Sequence, residues 1–108
     1  MPIKTTAKKH GNSNKITVDV NPPGGNQQAD VRATYDSSLL SQVGSIVPAP
    51  TSSTAGDIRW DNVAISTSGE QFSFMLDCDG TGSSQVVGSV NFLPSGPQES
   101  SSAPCTCN

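Results

Sequence analysis

Apolar and polar side chains alternate along several short stretches of the chain, which is the period expected of a β-strand with one buried face. The alternation is strictest over residues 72–78, where the apolar side chains are Phe72, Phe74, Leu76 and Cys78. Similar stretches occupy residues 15–20, 29–35, 58–66 and 85–93, and a short apolar run occupies residues 45–47. No stretch has the helical period of about 3.6 residues. The pattern therefore predicts six or seven short strands.

Two local features refine these strands. In the stretch 58–66, large apolar side chains stand at even positions up to Trp60 and at odd positions from Val63 onward. This change of face predicts a bulge at Asp61-Asn62. Pro48 follows the apolar run at 45–47 and restricts that run to a sheet edge, because proline cannot donate a hydrogen bond to a ladder.

The turn composition Asp-Gly-Thr-Gly at residues 79–82 separates two of the predicted strands. Because Asp-Gly is a strong hairpin signal, it predicts that residues 72–78 pair with residues 85–93. Within the second strand, Gly88 is expected to leave space for a bulky neighbour.

Short strands between loops rich in glycine, proline and serine predict an all-β fold. We expect a small antiparallel β-sandwich of six or seven short strands, and an immunoglobulin-like architecture is one candidate. The cysteine, tryptophan, cysteine order of immunoglobulin domains is absent, since Trp60 precedes every cysteine, and no family motif is recognised. Residues 15–93 would form the single domain. A polar basic N-terminal arm (1–14) and a Ser/Pro-rich C-terminal tail (94–108) would be flexible.

The composition is polar but only weakly charged, with 32% hydrophobic and 14% charged residues among 108. This indicates a folded domain with an uncharged polar surface rather than a chain disordered throughout. The net charge is −3, yet basic side chains gather at the start, namely Lys4, Lys8, Lys9, His10 and Lys15. This group contains no arginine or aromatic residue, so we interpret it as a solvated tail and do not expect nucleic acid as a partner.

No stretch is long and apolar enough for a membrane span. The basic residues at the start are not followed by the apolar run of a signal peptide. The expected locations are therefore the cytoplasm, a particle such as a virion, or the exterior by a route without a cleaved signal.

Asp77, Asp79 and Thr81 occupy alternate positions before Gly82, as the first ligands of a calcium loop do. The glutamate that such a loop needs six residues later is replaced by Gly88. We therefore expect a hairpin whose Asp side chains accept hydrogen bonds, and no cofactor. A weak calcium site is the alternative.

Three cysteines, Cys78, Cys105 and Cys107, leave one thiol unpaired in any single-disulfide arrangement. A buried, reduced Cys78 is the first interpretation, and a bridge from Cys78 to Cys105 or Cys107 is the second. Such a bridge would tie the C-terminal tail to the sheet.

Trp60 and Tyr35 are the candidate ligand-binding residues, because exposed aromatic rings stack on sugars, although a core position for Trp60 is the main interpretation. No catalytic residue is assigned, since the single histidine, His10, lies in the predicted arm and no nucleophile motif occurs.

The sequence therefore predicts a non-enzymatic structural or interaction module, a subunit of a multi-copy assembly of the coat, decoration or filament type. Its arms and sheet edges would contact other protein subunits, in a homo-oligomer or a multi-copy assembly. The alternative is a carbohydrate-binding β-sandwich module, with or without the help of calcium.

Overall fold

The computed structural model describes residues 2–25 and 27–107, which form two packed antiparallel sheets. The nine strands are β1 (Ile3–His10), β2 (Ser13–Val20), β3 (Gln27–Thr34), β4 (Leu40–Val47), β5 (Ser52–Thr54), β6 (Asp57–Ile65), β7 (Glu70–Cys78), β8 (Gly82–Leu93) and β9 (Gln98–Cys107). Within the described part of the chain there is no helix long and apolar enough to cross a membrane.

Sheet A has the strand order β1-β2-β7-β4, and sheet B has the order β5-β6-β3-β8-β9. Each long strand turns one apolar face inward, because alternate side chains of a strand point to opposite sides of its sheet. Phe72 and Phe74 of β7 thus meet Trp60 of β6 across the core, with ring centroids 4.9 and 6.5 Å from the Trp60 ring. The predicted all-β sandwich is confirmed, but it has nine strands in place of the predicted six or seven.

Both predicted arms are strands, which corrects the flexible termini expected from their polar sequences. Residues 3–10 form β1 and pair with β2, and residues 98–107 form β9 and pair with β8. Their buried side chains are small or apolar, namely Ile3, Thr5, Ala103, Cys105 and Cys107. Backbone hydrogen bonds to a neighbouring strand hold these segments, so their own low hydrophobicity does not exclude them from a sheet. The terminal residues Met1 and Asn108 lie outside the described residues.

The predicted hairpin between residues 72–78 and 85–93 is wrong. β7 pairs with β2 and β4 in sheet A, whereas β8 pairs with β3 and β9 in sheet B. Residues 79–81 therefore carry the chain from one sheet to the other. The alternation identifies the inward face of each strand, but two inward faces can meet across a core as well as lie side by side in one sheet.

The predicted bulge and the predicted edge strand are both confirmed. The β3–β6 register shifts where Asp61 and Asn62 lie opposite Asp30, and Asn62 has a positive φ of 52°. The Asn62 amide donates to Asp30 Oδ1 at 2.8 Å. β4, which contains the apolar run before Pro48, is an edge strand of sheet A.

The two sheets are closed on one side by the packing of β1 beside β9. Thr5 of β1 is buried, and its hydroxyl lies 2.7 Å from the Ser101 hydroxyl of β9. This approach depends on Gly88 of β8, because a Cβ there would lie 2.5 Å from Thr5 Oγ1 and 3.1 Å from Val18 Cγ1. The sequence-based expectation of a crowded neighbour at Gly88 is thus confirmed.

The opposite side of the sandwich is closed by polar contacts between β4, β5 and the core. Gln42 Nε2 donates to the Tyr35 hydroxyl at 2.7 Å and to the Thr54 carbonyl at 2.8 Å. Trp60 Nε1 donates to the Pro48 carbonyl at 2.9 Å. These bonds hold the bulged edge strand β4 against the second sheet.

Candidate interaction surfaces

Trp60 is completely buried at 0% exposure, so it cannot stack on a sugar. Its ring packs on Phe72, and its only polar group, Nε1, is satisfied by Pro48. This corrects Trp60 as a ligand-binding candidate and agrees with the expected core position.

Tyr35 is also buried, at 8% exposure, and its hydroxyl accepts the hydrogen bond from Gln42. It is therefore a structural residue between the sheets rather than a stacking platform. The aromatic residues of the chain are all buried, namely Tyr35, Trp60, Phe72, Phe74 and Phe92. A sugar-binding site built on an exposed ring has no ring available here.

Two candidate metal ligands at the end of β7 accept hydrogen bonds from serine hydroxyls. Asp77 Oδ1 accepts from Ser13 Oγ, and Asp79 Oδ1 accepts from Ser41 Oγ at 3.2 Å. Thr81 is exposed on the sheet-to-sheet connection. Within residues 2–25 and 27–107, no group of three or more His, Cys, Asp or Glu side chains is arranged to hold a metal ion. Asp77 and Asp79 thus accept hydrogen bonds that link the end of β7 to β2 and β4.

Cys78 of β7 forms a disulfide with Cys107 of β9, 29 residues away. The bond joins sheet A to sheet B and replaces the first interpretation, a reduced Cys78. Cys105 is the free thiol, and its side chain is fully buried. Burial raises the pKa of the Cys105 thiol, against a smaller opposing effect of the Lys9 charge. The sequence named all three cysteines, but only their positions in the fold select the pair.

The outer face of sheet B carries charges that compensate one another. Arg32 Nε and Nη2 donate to the two carboxylate oxygens of Asp57, both at 2.9 Å, and Arg59 Nε lies 3.4 Å from Asp57 Oδ2. The hydrogen bonds from Arg32 are the main cause that lowers the pKa of Asp57 below its ordinary value, and burial opposes this effect. Neighbouring positions on this face include the uncharged polar residues Ser89, Asn91 and Ser100 and the carboxylate of Asp30.

We expect Asp57→Asn to lower the urea midpoint of unfolding slightly at pH 7, because the folded state loses a carboxylate held by Arg32. Since the pKa of Asp57 is lower in the folded protein, its stabilisation is present above the ordinary carboxyl pKa and disappears as the pH falls through the folded value. The difference between wild type and variant should therefore shrink as the pH falls below the ordinary carboxyl pKa. Urea titrations at pH 7 and in acid measure it. Asp61→Asn, at an exposed position of the same strand, is the control, and an equal effect of both variants would contradict this role of Asp57.

The outer face of sheet A is built differently. Its strand registers place Lys8, Lys15, Met75 and Val43 in one row across the four strands. The next row contains Thr6, Thr17, Ser73 and Val47. Val47 is 58% exposed, and Met75 and Val43 are half-buried. We call Val43, Val47 and Met75 the apolar strip.

Four exposed lysines occupy the hairpin formed by β1 and β2, and we call this segment the lysine hairpin; they are Lys4, Lys8, Lys9 and Lys15. Within the described residues, the ion pairs involve only Arg32, Arg59 and Asp57, so these lysines have no carboxylate partner. Lys8 and Lys15 lie directly opposite each other in the ladder. Like charges in this position oppose strand pairing.

The far edge of sheet A carries the opposite charge. We call Asp36, Asp77 and Asp79 the acidic corner, because the backbone joins them around the start of β4. The Leu40 amide donates to the Asp36 carbonyl at 3.0 Å, and the Asp79 amide donates to the Leu39 carbonyl at 2.8 Å. The carboxylate of Asp36 accepts from the Ser38 amide and hydroxyl, which lowers its pKa. The hydrogen bonds shown for this corner come from neutral serine donors, and no ion pair is formed there among the described residues.

An open groove of about 890 Å³ lies at the end of the sandwich near the start of β1. Polar side chains from both sheets line it, including Lys4, Asp19, Glu70 and Ser101. Gln71 Nε2 donates to Asp19 Oδ1 at 2.9 Å. The groove therefore extends the lysine-bearing edge of sheet A and contains no aromatic ring.

Comparison with known proteins gives likeness of fold without likeness of sequence. No protein-family model matches the chain, and no curated protein matches it. Among solved structures, BslA, a bacterial hydrophobin, superposes with a TM-score of 0.72 at 10% identity, covering 100% of this chain and 95% of that one.

Two further neighbours have the same sandwich. A cohesin module of a Clostridium perfringens family 33 glycoside hydrolase has a TM-score of 0.62 at 12% identity, covering 98% of this chain and 96% of that one. MyfA, the major subunit of Myf fimbriae of Yersinia enterocolitica, solved in complex with galactose, has a TM-score of 0.60 at 13% identity, covering 98% and 99%. The structural neighbours thus include cohesin and fimbrial-subunit domains, and the chain shares their immunoglobulin-like β-sandwich fold.

Proposed function

We propose that this protein is a non-enzymatic interaction module, one subunit of a multi-copy assembly, and that it contacts neighbouring protein subunits through the outer face of sheet A. The observation that carries the proposal is the exposed pair Lys8 and Lys15, directly opposed and without a carboxylate partner. The repulsion between them is unfavourable in the isolated chain. An acidic surface laid over this pair would offset that repulsion.

The composition of the same face supports a protein partner. The apolar strip lies beside the lysines, and Thr6, Thr17 and Ser73 surround it with small polar groups. Protein interfaces combine an apolar centre, in which methionine is enriched, with a polar rim. On sheet B, by contrast, Asp57 already neutralises much of the arginine charge. Covering the outer face of sheet A would therefore be more favourable in free energy than covering the outer face of sheet B.

The fold adds general support, because a cohesin module and a fimbrial subunit have the same architecture. The mode of contact differs from the one that the sequence suggests. With both termini built into the sandwich as β1 and β9, a broad sheet face takes the place of the flexible arms in this proposal.

The test compares the size of the full-length protein and of Lys8→Gln/Lys15→Gln by light scattering over a range of protein and salt concentrations. We expect wild type to form large species that dissociate as the salt concentration rises. The Debye length, over which charges interact, shortens from about 10 Å at 0.1 M salt to about 3 Å at 1 M. The variant should remain small. Its urea midpoint should be unchanged or slightly higher, since the like-charge pair is gone. Loss of assembly would then not be a consequence of unfolding.

Arg59→Gln is the matched control, because it removes one exposed positive charge from the outer face of sheet B. It should assemble as wild type does. A protein that stays monomeric at every concentration would overturn the proposed function, and so would a lysine variant that assembles as well as wild type.

A further inference from the structure

We infer that the partner of the lysine hairpin is the acidic corner of a second copy of this chain, in a head-to-tail contact that joins the β1–β2 side of the outer face of sheet A to its β4 side. This inference rests on the proposed function and names its partner. Lys8 and Lys15 belong to the first two strands of the sheet, whereas Asp36 and Asp79 adjoin the last strand.

The acidic corner begins one row along the strands from the lysine pair. The row of Lys8 and Lys15 is followed by the row of His10, Ser13, Asp77 and Ser41. Three gaps between strands separate Lys8 on β1 from the β4 edge that Asp36 and Asp79 adjoin, a distance of about 14 Å. At that distance Asp36 and Asp79 barely neutralise Lys8 of the same copy in physiological salt. Asp77 lies closer, on the strand next to Lys15. A sideways translation of a second copy brings its acidic corner next to the lysine hairpin of the first.

The acidic corner is available for such a contact. Asp36 and Asp79 are exposed, and Asp36, Asp77 and Asp79 accept hydrogen bonds from serine groups only. Pairing with a lysine would therefore add an ion pair without breaking one. The apolar strip adjoins the same edge through Val43 of β4, so the contact would also cover apolar surface.

The two surfaces are different parts of the molecule, so this contact is heterologous. A heterologous contact leaves one lysine hairpin and one acidic corner free at the ends, and it therefore propagates into a ring or a filament. The inference thus predicts species larger than a dimer.

Charge exchange between copies tests the inference. One full-length variant carries Lys8→Glu/Lys15→Glu and a second carries Asp36→Lys/Asp79→Lys. We expect neither to assemble alone, because positions 8 and 15 would then meet positions 36 and 79 with charges of the same sign. An equimolar mixture should assemble, since every contact then joins opposite charges. The single chain with all four substitutions should also assemble. The uncharged variant Asp36→Asn/Asp79→Asn, with circular dichroism as the check on folding, should have weakened assembly.

The outcomes separate this inference from the proposed function. Assembly of wild type that survives Asp36→Asn/Asp79→Asn, or a mixture of folded variants that does not assemble, would overturn the second copy as partner. The proposed function would then stand, with a different acidic protein as the partner. A wild-type chain that never assembles would overturn both.

Discussion

Removal of the Cys78–Cys107 disulfide is expected to lower the free energy of unfolding by about 3–4 kcal/mol. The cysteines are 29 residues apart, and the bond between them restricts the unfolded chain while joining β7 to β9 across the two sheets. For a domain of this size the melting temperature should fall on the order of 15 °C. Urea and thermal unfolding of Cys78→Ala/Cys107→Ala measure both quantities.

Reductant and the third cysteine supply the controls for this prediction. Dithiothreitol should lower the stability of wild type to that of the double variant and leave the variant itself unchanged. Cys105→Ala keeps the disulfide and removes only a buried thiol, so it should cost about 1 kcal/mol. A double variant as stable as wild type, or a larger loss from Cys105→Ala, would contradict the assigned pairing.

Trp60→Phe is expected to lower the free energy of unfolding by about 2–3 kcal/mol. The substitution removes the hydrogen bond to the Pro48 carbonyl and leaves a void beside Phe72. Urea unfolding followed by far-ultraviolet circular dichroism measures the change, since the variant contains no tryptophan. Tyr35→Phe keeps its ring and loses one hydroxyl, so it should cost about 1 kcal/mol.

The burial of Trp60 also has an optical consequence. The chain has one tryptophan, so its fluorescence reports on this site alone. Iodide should quench the folded protein weakly and the unfolded protein strongly, and sugars should leave the emission unchanged. Strong quenching in the folded state would contradict the core position.

Local sequence predicted those parts of the fold that depend on a single strand. Phe72, Phe74 and Leu76 identify an inward face because side chains two residues apart share one side of a sheet. The parity change near Asp61 locates the bulge for the same reason. Gly88 indicates crowding because no other residue lacks a side chain. None of these conclusions needs knowledge of which strands are neighbours.

Strand partners could not be predicted in this way. The alternation in β7 and β8 suits a hairpin and two facing sheets equally well, and only the packed core selects the second. β1 and β9 have little hydrophobicity of their own, so their place depends on the ladders and the disulfide that hold them. Five of the nine strands carry the apolar alternation on which the sequence prediction depends.

The features of the candidate surface also fall into those that follow from the sequence and those that require the tertiary structure. The amino-acid sequence by itself determined the all-β class, the inward faces, the cluster of lysines at the start and the absence of a nucleophile motif, because each follows from local order or composition. Only the tertiary structure decided the cysteine pair, the burial of Trp60 and Tyr35, and the row that places Lys8 and Lys15 beside Met75. Each of these depends on the register and stacking of strands far apart in the chain, and a local pattern contains no information about that distance.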